Sequence, residues 1–227
     1  STGVIIRDIH LSKCWGDGLC VGGAMVAEGA LPLPSRSVTI ANVVSTGNRR
    51  HGLTIANAHG VRVYDSEFSS NRGLEFACGI DIEPANGNPA SNIHIENCTI
   101  TLNQRNGVEM HEGARSIVVQ DCKIHSNTGY GVFSLGVQDV YVARNSIKYN
   151  GLAGVAIRGG CVNHQISRNY FYYNSKRFHK STPTLQAQPT LINGYRYAGH
   201  TERASGISDI RITYNSYYDA NFLNRFL

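Results

Sequence analysis

Three segments decide how the chain is read: NIHIENCTITLNQRNGVEM (residues 92–110), SIVVQDCKIHSNTGYGVFS (116–134) and DVYVARNSIKYNGLAGVAI (139–157) align without a gap. Ile95, Val119 and Val142 share one position of this frame, Asn103, Asn127 and Asn150 a second, and Gly107, Gly131 and Gly154 a third. Self-similarity at a fixed period of about two dozen residues is the mark of a stacked-repeat architecture. Working outward, the apolar anchor recurs at Ile6, Ile40, Val63 and Ile166. A glycine follows twelve residues after Ile6, Ile40, Ile95, Val119 and Val142, but sixteen after Val63, so four residues are inserted there. Eight residues after the anchors stand Asn48, Asn71, Asn103, Asn127, Asn150 and Asn174, with Cys14 alone breaking the column. Asparagine tolerates the left-handed backbone of a sharp bend, and its amide can bond up a stack of rungs about 4.8 Å apart.

The strand after each glycine shows which side chains face inward. Its first position reads Leu19, Leu53, Ile80, Val108, Val132, Val155, and its third Val21, Ile55, Ile82, Met110, Ser134, Ile157. Alternation with an almost uniformly apolar inner set predicts short strands packed on a continuous core. No stretch shows convincing helical periodicity. The expected fold is therefore all-β: a right-handed, single-stranded parallel β-helix of about 7–8 rungs over residues 1–174. Residues 175–227 read as an irregular insertion and a final rung or C-terminal cap of the same domain. A solenoid needs polar caps, and the repeat is already running at Val4, so the chain reads as a fragment or processed piece. Departures from the repeat, expected as flanking loops, fall at 24–37, 72–78, 84–91 and 175–205.

Bulk properties narrow the classes. The chain of 227 residues is long enough for a sizeable core, and no apolar run reaches membrane-spanning length. No signal-peptide pattern opens it. The net charge of +5 is dispersed, apart from Arg49-Arg50 and residues 176–180, which suits solubility or a mild attraction for an acidic polymer. The six cysteines include no CxxC pair, which argues against zinc, and the register stacks Cys98 on Cys122 as buried thiols.

If positions one and three face inward, positions two and four face solvent. Position two reads Cys20, Thr54, Asp81, Glu109, Phe133, Ala156, and position four Gly22, Ala56, Glu83, His111, Leu135, Arg158. Asp81, Glu83, Glu109 and His111 thus form a square on adjacent rungs, with Glu112 at its margin, His51 and Arg49-Arg50 one rung below and Tyr130 one rung above. Column neighbours lie roughly 5 Å apart and strand neighbours roughly 7 Å apart. Carboxylates that close can poise a general acid or base, and their spacing covers both retaining and inverting glycosidases. The same trio could instead hold Ca²⁺, although no cofactor is required by the acid–base reading. Asp17 and Trp15 stand at a rung corner, as a turn or cleft residue and as a sugar platform or core lid respectively. Tyr195-Arg196-Tyr197 could line a groove, and His10, His59, His94, His125 and His164 read as incidental strand and turn residues.

On these residues the chain resembles the right-handed β-helix superfamily of polysaccharide-acting proteins: pectate lyases, polygalacturonases, alginate C5-epimerases and phage tailspike depolymerases. The likeness covers roughly residues 3–174. NGVEMHEG at 106–113 is similar to the Asp-Pro-His-Glu segment of alginate epimerases, with Glu109 where their Asp stands and His111 where their His stands. Their further catalytic Asp on the next rung corresponds to Leu135 here. CWGDGLCVGG at 14–23 is loosely similar to the polygalacturonase Asp-Asp-Cys segment, with Gly18 in place of the second Asp, and GIDIEP at 79–84 resembles uncharacterised bacterial and phage β-helix proteins. The resemblance implies a sugar groove on the flat sheet and its flanking loops.

Three functions follow as expectations. The first is a glycan depolymerase of glycoside hydrolase type, with Asp81, Glu83 and Glu109 as carboxylates, His111 assisting, and Arg49, Arg50, His51, Tyr130, Arg158, Trp15 and Asp17 binding a polysaccharide, an acidic one included. The second is a lyase or C5-epimerase acting on uronates, with His111 or Tyr130 as base. The third is a non-catalytic glycan-binding or trimeric fibre module. The expected setting is extracellular, secreted or virion-associated, with neither nucleic acid nor membrane as partner.

Overall fold

A computed structural model describes residues 1–23, 33–84, 88–175, 190–193 (backbone only) and 206–218. Every regular element among them is a strand, and every strand pair is parallel. The chain winds through three walls per coil. In the fourth coil these are Ser91–Glu96, Thr99–Thr101 and Val108–Met110, and in the fifth Arg115–Gln120, Lys123–His125 and Val132–Leu135. The first and second walls form one 14-stranded sheet, because Ser35–Thr46 runs unbroken round the corner between them. The third wall is a separate seven-stranded sheet, from Leu19–Val21 through Ile80–Ile82, Val108–Met110 and Val155–Arg158 to Thr190–Asn193. The anchors pair in register, Ile6 with Ile40, Val63 with Ile95 and Ile95 with Val119. Weak sequence signal at Ile210 to Ile212 becomes a full first-wall strand, Ser208–Thr213, paired with Val162–Ser167. The groove expected at Tyr195-Arg196-Tyr197 lies outside the described residues, as does most of the 175–205 insertion.

The core is a single apolar column inside the coil, with Ile40, Leu53, Phe68, Ile80, Ile100, Val108 and Ile124 all at 0 % exposure. The asparagine ladder forms as expected. Each side-chain carbonyl accepts both the backbone N–H and the amide of the preceding asparagine, as Asn127 does from Asn103 at 3.1 and 2.8 Å and Asn150 from Asn127 at 3.1 and 3.0 Å. A second ladder was not anticipated. Asn145, Asn169 and Asn215 stack at the corner between the first two walls, and Cys122 donates its backbone N–H into it. Cys98 and Cys122 occupy that same corner column as free, buried thiols. The glycine column has a steric cause: a Cβ at Gly131 would meet the carbonyl oxygen of Gly154, one coil up, at 2.5 Å.

His164 corrects an expectation. It is a strand residue, as expected, but not an incidental one: it sits in the inward column between Val140 and Ile210, with 1 % exposure. Its Nδ1 lies 3.2 Å from the Val162 carbonyl and its Nε2 has no hydrogen-bond partner. Burial holds its pKa down at about 4, so the ring is neutral.

Candidate active site

The third wall carries its chemistry on the outside. Ile80, Ile82, Val108 and Met110 point into the core, so Asp81 and Glu109, which pair directly across adjacent coils, point away from it. Position two nevertheless departs from the expected exposure. Thr54, Asp81, Glu109, Phe133 and Ala156 are all buried, and of this column only Cys20 is exposed. The reason is the residue before each glycine. His51, Cys78, Asn106, Tyr130 and Ala153 are buried beside that column, so the turn from the second wall to the third folds over it. In the fifth and sixth coils this makes a second apolar cluster, Tyr130, Phe133, Ala153 and Ala156. In the third and fourth coils the same layer is polar.

That polar layer is a connected set. Asp81 lies between two imidazoles, with Oδ2 at 3.2 Å from His51 Nε2 and Oδ1 at 3.2 Å from His111 Nε2. His51 Nδ1 accepts the backbone N–H of Cys78 at 3.1 Å, which fixes its proton on Nε2, toward Asp81. Burial keeps the His51 pKa below the ordinary imidazole value, against the opposite pull of Asp81. Glu109 Oε2 accepts from Asn106 Nδ2 at 2.8 Å, from the Cys78 thiol at 3.0 Å and from Arg105 Nε at 3.2 Å, while its Oε1 lies 3.6 Å from His111 Nε2. Burial and the charge of Glu109 hold the Cys78 thiol well above its ordinary pKa, so it acts here as a proton donor.

His111 is the imidazole that opens to solvent, its side chain 32 % exposed against 4 % for Asp81 and 3 % for Glu109. Burial lowers its pKa, but the close contact with Asp81 and the charges of Asp81 and Glu109 outweigh burial and leave it raised. Both carboxylates meet Nε2, so among the described residues Nδ1 is the ring nitrogen left free.

The other expected residues fall in different places. Glu83 is exposed, with Arg50 3.9 Å away, while Asp81 and Glu109 are buried, so the three carboxylates do not share one environment. Asp17 belongs to the cluster rather than merely to a turn. It accepts from Arg50 Nε at 2.8 Å, from the His51 backbone at 3.0 Å and from the Thr54 hydroxyl at 2.8 Å. Burial raises its pKa, but these bonds together hold it below the ordinary carboxylate value. His51 and Tyr130, expected as binding residues, are both buried, although Tyr130 borders a surface depression with Arg105 and Leu152. Tyr130 stacks on Phe133, and its hydroxyl accepts from Arg158 at 2.8 Å. Trp15 is 81 % exposed, so it is no lid over the core, and Arg49 lies 4.3 Å over its ring. The sequence reading missed Thr54, Cys78, Arg105 and Asn106. Cys78 and Asn106 stand just before a glycine, in an outward column of their own, Arg105 stands one residue earlier, and Thr54 was legible in the position-two column. No group of three or more His, Cys, Asp or Glu among the described residues is arranged to hold a metal.

This geometry can now be set beside known proteins. The model of the right-handed β-helix region matches residues 1–147 and 112–222. The chain belongs to that family. An SPbeta prophage-derived uncharacterized protein of Bacillus subtilis (strain 168), YorA, is 26% identical over 156 residues, covering 65% of this chain and 26% of YorA. Among solved structures, the A-module of the mannuronan C-5 epimerase AlgE4 of Azotobacter vinelandii superposes with a TM-score of 0.70 at 20% identity, over 96% of this chain and 56% of that one. The pectate lyase Pel9A superposes with a TM-score of 0.51 at 13% identity, over 97% of this chain and 53% of that one. The β-helix here thus spans about half of these solved chains and about a quarter of YorA.

Proposed function

We propose that this β-helix acts on a uronate-containing polysaccharide by removing the proton at C5, as a lyase or an epimerase, with His111 as the base. One observation carries the reading: His111 opens to solvent with Nε2 turned to two buried carboxylates and Nδ1 free. Asp81 and Glu109 are held beneath the surface, where they can stabilise an imidazolium but not touch a glycosidic oxygen. Hydrolysis needs two carboxylates flanking the scissile bond, and Glu83 is the one acid of the original trio that is exposed. The likeness of the fold to a mannuronan C-5 epimerase and a pectate lyase supports the same substrate class.

In the proposed reaction the C5–H bond breaks, its proton passes to Nδ1, and the electron pair is delocalised into the sugar carboxylate. Asp81 and Glu109 offset the charge gained by the ring. Arg50 and Arg158 lie on the same face and supply positive potential for an acidic chain. The carbanion then either expels the glycan at C4, leaving a C4–C5 double bond, or takes a proton on the opposite face. An extracellular or virion-associated setting is part of this proposal, since that is where such polymers are met.

The test is exchange at C5. Polymannuronate, polyguluronate and polygalacturonate are incubated with the protein in D₂O and followed by NMR and ultraviolet absorbance. Deuterium at C5 for an epimerase, or a C4–C5 unsaturated product for a lyase, is the expected result, and His111→Gln suppresses it. New reducing ends without deuterium or unsaturation would instead establish hydrolysis.

A further inference from the structure

The four residues inserted in the third coil, together with Arg105, have no part in the chemistry so far. Residues of this fold with left-handed backbones fall in columns: Asn42, Asp65, Asn97, Asp121 and Arg144 make one, and Ser70, Leu102, Ser126 and Tyr149 another. Phe76, at φ 68°, belongs to no column. A bulky residue at positive φ is costly, and such positions persist where the surroundings or a function demand them. Phe76 gains no burial in return, since it is 52 % exposed. Its ring instead carries the Arg105 guanidinium at 4.3 Å.

Arg105 is bound at one end only. Its Nε donates to Glu109 at 3.2 Å, and its two Nη groups make no hydrogen bond among the described residues. The side chain is 32 % exposed and lines a depression of about 400 Å³. Phe76, Gln104, Thr128, Tyr130, Leu152 and Glu75 line it as well. Glu109 bridges this depression to the reacting imidazole, with Oε2 on Arg105 and Oε1 toward His111.

We infer that this depression is a subsite for a carboxylated pyranose next to the reacting unit, its carboxylate taken by the free Nη groups of Arg105 and its apolar face laid against Phe76. The inference rests on the uronate reading above and adds where the neighbouring sugar is recognised. A guanidinium with Nε already fixed is pre-oriented, so little rotamer freedom is lost when a carboxylate binds. Aromatic side chains offer sugars a rigid apolar surface at low entropic cost.

The test is calorimetric titration of the His111→Gln protein with oligogalacturonates and oligomannuronates of two to six units, and with their carboxyl-reduced counterparts. Phe76→Ala and Arg105→Gln are placed in the same background, with thermal melting as a control of folding. The expected result is a tenfold or greater weakening by Phe76→Ala for the oligomers, the dimer included, since a dimer already reaches the position beside the reacting unit. Arg105→Gln removes the preference for carboxylated over reduced chains. Arg105→Gln also leaves Glu109 without its cation, so Phe76→Ala, which touches neither Glu109 nor His111, keeps the inference testable if the former fails to fold. Tight uronate binding that is unchanged in Phe76→Ala overturns the subsite and leaves the proposed reaction standing. Absence of binding to any uronate, with neither C5 exchange nor an unsaturated product from the unsubstituted protein, overturns both.

Discussion

At the scale of single residues, His111 and Asp81 form a unit whose behaviour with pH can be stated. The His111 pKa is raised above 6.5 by Asp81 and Glu109 despite burial. As a base it must be neutral, so C5 exchange rises with pH through that raised value and is lost below it. Asp81→Asn removes the main raising partner and leaves only the charges of Glu109 and Glu83 against burial, so the acidic limb of the pH–rate profile moves to lower pH. His111→Gln keeps the volume but not the basicity, and lowers the exchange rate by about 10²–10⁴-fold. A profile unmoved by Asp81→Asn would dissociate the pair. His51 is the quieter partner. The Cys78 N–H occupies its Nδ1, so it cannot take a second proton without losing that bond.

At the scale of elements, the ladders and the glycine column hold one coil on the next. Asn127→Ala leaves the Asn103 backbone N–H without its acceptor in a fully buried position, and the Asn103 amide with the Phe68 carbonyl alone. An orphaned buried donor costs about 1–3 kcal/mol, so a loss of at least that size in unfolding free energy is expected by denaturant titration. Gly131→Ala drives a Cβ against the Gly154 carbonyl at 2.5 Å and Ile147 Cγ2 at 2.7 Å. The coils must part locally, and the melting temperature falls. A neutral result at Gly131 would mean that the third wall tolerates more separation than its hydrogen bonds imply.

At the scale of the whole molecule, each coil is stabilised mainly by its neighbours, so a defect between the last coils is felt along the stack. His164 is such a point, a neutral imidazole in a column otherwise apolar. Its folded pKa, about 4, lies below its ordinary 6.5, so the unfolded chain binds more protons between these values. Stability therefore rises with pH from 4 to 6.5, by about 3 kcal/mol from this residue. His111 acts in the opposite sense: its contribution is full below 6.5 and is lost as pH rises through its raised folded pKa. Asp17 acts lower still, stabilising above 3.8 and losing that effect as pH falls through its depressed folded value. His164→Val, matching its neighbour Val140, is expected to flatten the melting-temperature profile between pH 4 and 6.5 and leave C5 exchange intact. A profile that keeps its slope in that variant would move the effect elsewhere.

The sequence by itself determined the coil, its register, the first asparagine ladder and the pairing of Asp81 with Glu109. These are consequences of period, and a parallel coil repeats every contact at each turn. The second ladder was legible too, three residues after each anchor at Asn145, Asn169 and Asn215, had that column been read. Only the tertiary structure decided which outward side chains meet solvent. Strand alternation states whether a residue faces into the coil, but not whether the adjoining turn folds over it. That turn buried Asp81, Glu109 and His51 while leaving His111 open, and it brought Arg105 and Phe76 together from different coils, a contact that no spacing along the chain encodes.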